Sequence, residues 1–254
     1  MKIFYINLHK DTVRRESMEK QLTSLNLRYS RIPAIYGREL SKQTLTECYS
    51  VKKAYRNQSR ELTPAEIGCA MSHIHIYQKI VAEKIPYALI LEDDVVLPSS
   101  FTDAMHSFND FIRMDRPEVL LLSPAEPDWK QKGQVRTSGK YQAVPFAKGF
   151  FTSSYIVTHL AAQSLLCELY PISMVADSWQ RLSTFRVVDL FVISPCLIEQ
   201  DQETFGSSTT AGYKTFSSLW QIFIYKLLRS RCIILDLLSI TWRRTFHPYN
   251  DVLK

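Results

Sequence analysis

The chain has 254 residues, 46% of them apolar and 22% charged, which suits a soluble globular protein with a sizeable core. A net charge of +6 favours an anionic partner, but no zinc-finger spacing, ribonucleoprotein motif or clear helix-turn-helix accompanies it, so nucleic-acid binding is set aside. Only seven glycines are present, with neither a Walker A sequence nor G-x-G-x-x-G, which excludes a glycine-rich phosphate loop.

In chain order, Ile3–Ile6 reads as a buried strand too short for a signal peptide, followed by Asn7, Leu8 and a helix capped by Asp11 or Thr12. That helix carries Val13, Met18, Leu22 and Leu25 at near-helical spacing, with Arg14 and Arg15 beside the strand end. Leu27–Ile32 is a second strand, and residues 36–61 read as short helices and loop with a basic cluster of Lys52, Lys53, Arg56 and Arg60. Thr63-Pro64-Ala65-Glu66 is a strong helix start: an N-cap, a proline at the first helical position and a capping-box glutamate. The helix to about residue 83 buries Ile67, Met71, Ile74 and Val81, and brings Gly68 over Ser72 and Cys69 over His73.

Tyr87–Leu91 is then an apolar run without alternation, as in a strand covered on both faces, and it ends in Glu92-Asp93-Asp94. Three adjacent carboxylates repel one another in a half-dry site unless a cation sits among them. Extended chain would place Glu92 and Asp94 on one side and Asp93 on the other. The residues suit either a divalent-metal site at the carboxyl edge of a sheet or a solvated acidic turn.

Beyond the acids, Pro98-Ser99-Ser100 opens a helix carrying Phe101, Met105, Phe108 and Phe111, and Val119–Leu122 is another strand. Residues 124–140 read as a long surface loop of the kind that forms lids. Phe150–Val157 reads as a strand, Ala161–Leu169 as a helix, and Ser173–Trp179 as the start of a further helical segment. Val187–Ile193 and Cys196–Ile198 are strand-like, followed by Glu199-Gln200-Asp201. Alternating strands and helices without a repeat or linker predict one α/β domain over residues 1–218. Residues 219–254 form a basic amphipathic tail, with Lys226, Arg229, Arg243 and Arg244 on a polar arc opposite Trp220, Phe223, Leu227 and Trp242. Such a helix suits an anionic membrane surface, its own domain or a second copy in a homodimer. Five dispersed cysteines without C-x-x-C, and no apolar window of membrane-span length, lead to the expectation of a cytoplasmic protein.

Three segments in this order resemble glycosyltransferase family 25, the bacterial lipooligosaccharide galactosyltransferases related to procollagen galactosyltransferases. They are Ile3–Leu8 with Arg14 and Arg15, Leu62–His73, and Ile90–Val95. The resemblance thins after residue 100, where Phe150-Phe151-Thr152 replaces a small turn. It implies a GT-A-like, Rossmann-type mixed sheet flanked by helices, and inverting transfer of galactose from UDP-galactose to a lipooligosaccharide core sugar. It also implies Mn²⁺ or Mg²⁺ on Asp94 and Glu92, whose hard oxygens suit either ion. Donor contacts are expected from Asn7, Leu8, Arg14, Gly68, Ser72, His73, Glu92 and Asp93. Inversion needs a general base on the acceptor hydroxyl: Asp177 matches the family's later aspartate, with Asp189 and Asp201 as rivals. Gln200 and Ser207 are expected on the acceptor side, and peripheral contact with an anionic inner membrane through the tail. A metal-dependent phosphohydrolase or a non-catalytic carbohydrate-binding protein are the competing readings of the same residues.

Overall fold

The strand segments over residues 3–6 and 88–91 are apolar at every position rather than at alternate ones, and the computed structural model, which describes residues 1–201, shows why. Strand β1 (Lys2–Asn7) leads into helix α1 (Thr12–Ser24), and β2 (Ser30–Pro33) returns beside it. Short helices α2 (Lys42–Cys48) and α3 (Val51–Gln58) precede the long α4 (Pro64–Ala82). Next come β3 (Tyr87–Glu92), β4 (Val95–Val96), α5 (Phe101–Phe111) and β5 (Glu118–Leu121). Three further strands, β6 (Glu126–Pro127), β7 (Arg136–Ser138) and β8 (Tyr141–Lys148), lead to β9 (Ser154–Thr158). The described residues end with α6 (His159–Leu169), α7 (Trp179–Thr184), β10 (Asp189–Ser194) and β11 (Glu199–Gln200).

Nine strands form one mixed sheet in the order β2-β1-β3-β9-β5-β10-β8-β6, with β7 also paired to β8. β1 is parallel to β3 and β10 to β5, while β9 lies antiparallel between β3 and β5. The sheet separates two apolar cores. Phe4, Ile6, Ala88 and Ile90 face the core built with α4, α6 and α7, whereas Ile3, Tyr5, Leu89 and Leu91 face the core shared with α1 and α5. Both faces of β1 and β3 are thus covered, and alternation disappears from the sequence. This is the mixed α/β sheet flanked by helices that the sequence leads one to expect.

The capping box at α4 forms in full: Glu66 N–H donates to Thr63 Oγ1 at 3.3 Å, and Thr63 N–H to Glu66 Oε2 at 2.8 Å. Other expectations are revised. Val13, expected on the buried stripe of α1, is 69% exposed, and Met18 and Leu22 carry that contact. Residues 124–140 are not one loop: β6 and β7 pair with β8, a strand that the sequence reading passed over. Phe150–Ser153 precede β9 as irregular chain, and Cys196–Ile198 form no strand. The tail 219–254 and Ser207 lie outside the described residues. Among the described residues no helix is long and apolar enough to cross a membrane.

Candidate active site

Because β1 and β3 are parallel, Asn7 and Glu92 emerge at the same edge of the sheet. The strand alternation expected of the acids stops there, since Asp93 and Asp94 occupy a turn between β3 and β4. Arg14 Nη1 consequently reaches both, lying 3.3 Å from Asp93 Oδ1 and 4.0 Å from Asp94 Oδ2. Asp93 Oδ2 accepts from Asn7 Nδ2 at 2.7 Å. The same amide donates to the Asp11 carbonyl at 3.0 Å and accepts from Arg31 Nε at 3.0 Å. Asn7, expected among the donor contacts, is 1% exposed with both ends of its amide engaged. It builds the edge by fixing Asp93.

Asp94 is held more loosely. Its Oδ1 accepts from Gln200 Nε2 at 3.4 Å, and its carbonyl from Asp201 N–H at 2.8 Å. That backbone bond extends the antiparallel β4–β11 ladder, in which Gln200 faces Val95. Burial, then the charges of Glu92 and Asp93, push the Asp94 carboxyl up to about 6 against the pull of Arg14 and Gln200. Burial raises Asp93 likewise, partly offset by Asn7 and Arg14.

Glu92 behaves oppositely. Burial pushes it up, but hydrogen bonding to His73 and Thr152 and the charges of His73 and Arg14 outweigh this and leave it below its ordinary value. His73 Nε2 lies 3.4 Å from Glu92 Oε1, the oxygen to which Thr152 Oγ1 also donates. Behind His73, Nδ1 meets the Tyr155 hydroxyl at 2.8 Å, which meets the Tyr77 hydroxyl at 2.7 Å. His73, expected to touch the donor, is therefore a buried support beneath Glu92.

Two arrangements could take a cation. Cys69, His73 and Glu92 bring a thiol, an imidazole and a carboxylate oxygen within 4.8 Å of one another. Both His73 nitrogens already have partners there, however, and burial pushes the Cys69 thiol well up, away from the thiolate a metal needs. Asp94 fits a hard divalent ion better: its carboxylate is met at long range by Gln200 at 3.4 Å and Arg14 at 4.0 Å, stands among like charges and is destabilised in its ionised form.

Asp177 sits in the chain between α6 and α7 and accepts the Phe151 N–H at 3.3 Å. Burial raises its carboxyl, two backbone hydrogen bonds oppose this, and the charges of Glu92 and Glu66 add to the rise. Phe151 and Thr152 thus connect Asp177 to Glu92 within one stretch of chain. Asp189 is elsewhere: it opens β10, at the opposite edge of the sheet from Asn7 and Glu92, and pairs with Arg116 at 3.0 Å. Gly68 and Ser72 also serve the fold. A Cβ on Gly68 would fall 2.5 Å from Gly37 N and from Ile35 O, so α4 packs directly on the loop after β2. Ser72 Oγ accepts the Ile35 N–H at 2.9 Å and donates to the Gly68 carbonyl at 2.7 Å. Leu8 is half-buried, and its carbonyl closes the turn to Asp11 at 3.1 Å.

Arg31 joins the site without a signal in the sequence, and Thr152 and Tyr155 join it through contacts with Glu92 and His73 that the sequence does not announce. Arg31 arrives through the parallel pairing of β2 with β1, and Thr152 and Tyr155 through insertion of antiparallel β9 between parallel neighbours. Such pairings are non-local, so no spacing within the chain announces them.

Comparison with known proteins adds a family. Residues 1–179 match the family model for glycosyltransferase family 25 (LPS biosynthesis protein). A Drosophila melanogaster glycosyltransferase 25 family member is 36% identical over 169 residues, covering 65% of this chain and 27% of that protein. Procollagen galactosyltransferase 1-A of Xenopus laevis is 25% identical over 237 residues, covering 86% and 38% respectively. The chain thus spans about a quarter to two fifths of the length of these relatives. Among solved structures, a glycosyltransferase involved in glycosylation of the major capsid of PBCV-1 matches over 90% of this chain at 12% identity, with a TM-score of 0.40.

Proposed function

The chain belongs to glycosyltransferase family 25, and from that premise we propose that it transfers galactose from UDP-galactose, with inversion, to a core sugar of lipooligosaccharide. The family's description as LPS biosynthesis proteins supports the acceptor class, and relatives named procollagen galactosyltransferases support the sugar. The observation that carries the reading is the sheet edge itself. It joins a loosely held Asp94, an Arg14 beside two acids, and an Asp177 tied through Phe151 and Thr152 to Glu92.

In this reading Asp94 holds Mn²⁺ or Mg²⁺, with Glu92 as the second carboxylate. Such an ion, when bound, stabilises negative charge developing on the departing diphosphate. Arg14 offsets charge at the same edge, and Asn7 and Arg31 keep Asp93 in place. Asp177 accepts the proton of the acceptor hydroxyl as that oxygen attacks the anomeric carbon. Its raised carboxyl is the more basic for its burial. Gln200 and Asp201 are assigned to the acceptor side in this reading. Donor and acceptor meet at the cytoplasmic face of the inner membrane, for which the basic residues of 219–254 are suited; the same tail offers the contact for a homodimer.

The test is transfer from UDP-galactose to a lactose- or glucose-terminated acceptor with Mn²⁺, with and without EDTA. Transfer should occur and EDTA should abolish it. Asp177→Asn should lower turnover by about 10²–10⁴-fold with UDP-galactose affinity retained; near-normal turnover removes Asp177 as the base. Release of phosphate without transfer would favour a phosphohydrolase.

A further inference from the structure

We propose that Phe150 and Phe151 form a stacking shelf for the apolar face of the acceptor sugar, and so are specificity-determining residues. This rests on the transferase reading above and deepens it. Both rings are held in the open, 57% and 42% exposed, although burial would stabilise each. Phe151 is also held in a left-handed conformation, φ +77°. Bulky side chains rarely adopt that region, and the strain is on the order of 1–3 kcal/mol.

The surroundings account for this posture. Phe151 N–H donates to Asp177 Oδ2 at 3.3 Å, and its carbonyl accepts from the indole Nε1 of buried Trp179 at 2.9 Å. On one side Thr152 is bonded to Glu92. On the other, Gly149 packs so closely that an added Cβ would fall 2.7 Å from Ala125 Cβ. The segment is pinned at both ends, with both aromatic side chains exposed and the Phe151 backbone bonded to the candidate base.

A pyranose ring has a face of C–H groups and a rim of hydroxyls, and the C–H face stacks on aromatic rings. Stacking on Phe150 and Phe151 would desolvate that face while leaving a rim hydroxyl to reach Asp177, the placement that catalysis requires. On the same reading, the donor diphosphate would be drawn instead to the divalent cation that Asp94 and Glu92 would hold. The neutral shelf beside Asp177 is thereby assigned to the acceptor.

Phe151→Gly tests this cleanly, because glycine removes the ring, accepts φ +77° and keeps both backbone hydrogen bonds. Phe150→Ala and the ring-preserving Phe151→Tyr complete the set. Kinetics would be measured with UDP-galactose and a panel of lipooligosaccharide core oligosaccharides. Phe151→Gly and Phe150→Ala should each raise the acceptor KM about tenfold, with the UDP-galactose KM unchanged. Phe151→Tyr should retain the original acceptor KM, and the melting temperature of Phe151→Gly should not fall. An acceptor KM unchanged in both ring-deleting variants, or a rise confined to UDP-galactose, overturns the shelf. No transfer by the unsubstituted chain to any core oligosaccharide would overturn the transferase reading, and the shelf with it.

Discussion

At the scale of single residues, adjacent acids behave in opposite ways because their neighbours differ. Glu92 has His73 and Thr152; Asp94 has a distant arginine and a long amide contact. An unfolded Asp94 titrates near 3.8 and the folded one at about 6. Below about pH 4 the group is protonated in both states, and as pH rises through 6 the folded chain must ionise it among like charges, so stability is lost. Asp94→Asn should therefore melt higher than the parent above pH 6 in EDTA, by about 5 °C, and lose that advantage below about pH 4. Calorimetry across this range checks the sign. Mn²⁺ should raise the melting temperature of the parent and leave Asp94→Asn unmoved. Tyr155→Phe removes the hydroxyl between His73 and Tyr77. It should cost about 1–3 kcal/mol in denaturant unfolding. The acid run was legible in the sequence because like charges seldom cluster without reason. Its support was not, since Tyr155 lies 82 residues from His73.

At the scale of elements, local chemistry decided what could be read ahead. Thr63, Pro64 and Glu66 fix the start of α4 through contacts within one turn, and the structure shows that start. The face of α4 carrying Gly68 was legible as small, but not what fills it. Backbone of the loop after β2 occupies that space, and Gly68→Ala must push it away. We expect a loss of about 1–3 kcal/mol in stability, read as an earlier denaturation midpoint. Residues 124–140 misled because glycines and prolines mark turns without telling whether strands lie between them. β8 is buried on one stretch and exposed at its end, so its pattern is irregular. Since β6 and β7 are paired to β8, hydrogen exchange in residues 126–138 should not change when UDP-galactose and Mn²⁺ are added. Slowed exchange should instead appear at residues 93–96 and 150–153. Protection gained in 126–138 would restore the lid expected from the sequence.

At the scale of the whole molecule, the sheet divides two cores and gathers Asn7, Arg14, Glu92, Asp93 and Asp94 at one edge. Parallel strands made that edge foreseeable, as their carboxyl ends coincide. The strand at β9 was read from the sequence but its antiparallel direction was not, and that direction delivers Thr152 and the Phe151 backbone to the same edge. The chain entering this reversed strand is what links Asp177 to Glu92, through the Phe151 N–H and the Thr152 hydroxyl.

The β4–β11 ladder has a consequence in time. Asp94 and Gln200 are 106 residues apart, so during synthesis the acid turn leaves the ribosome long before the strand that clasps it. The earlier strands can assemble in the order they emerge, whereas the carboxylate turn waits for residues 199–201. The acid turn is therefore among the last parts of the fold to be set, clasped only as β10 takes its place between β5 and β8.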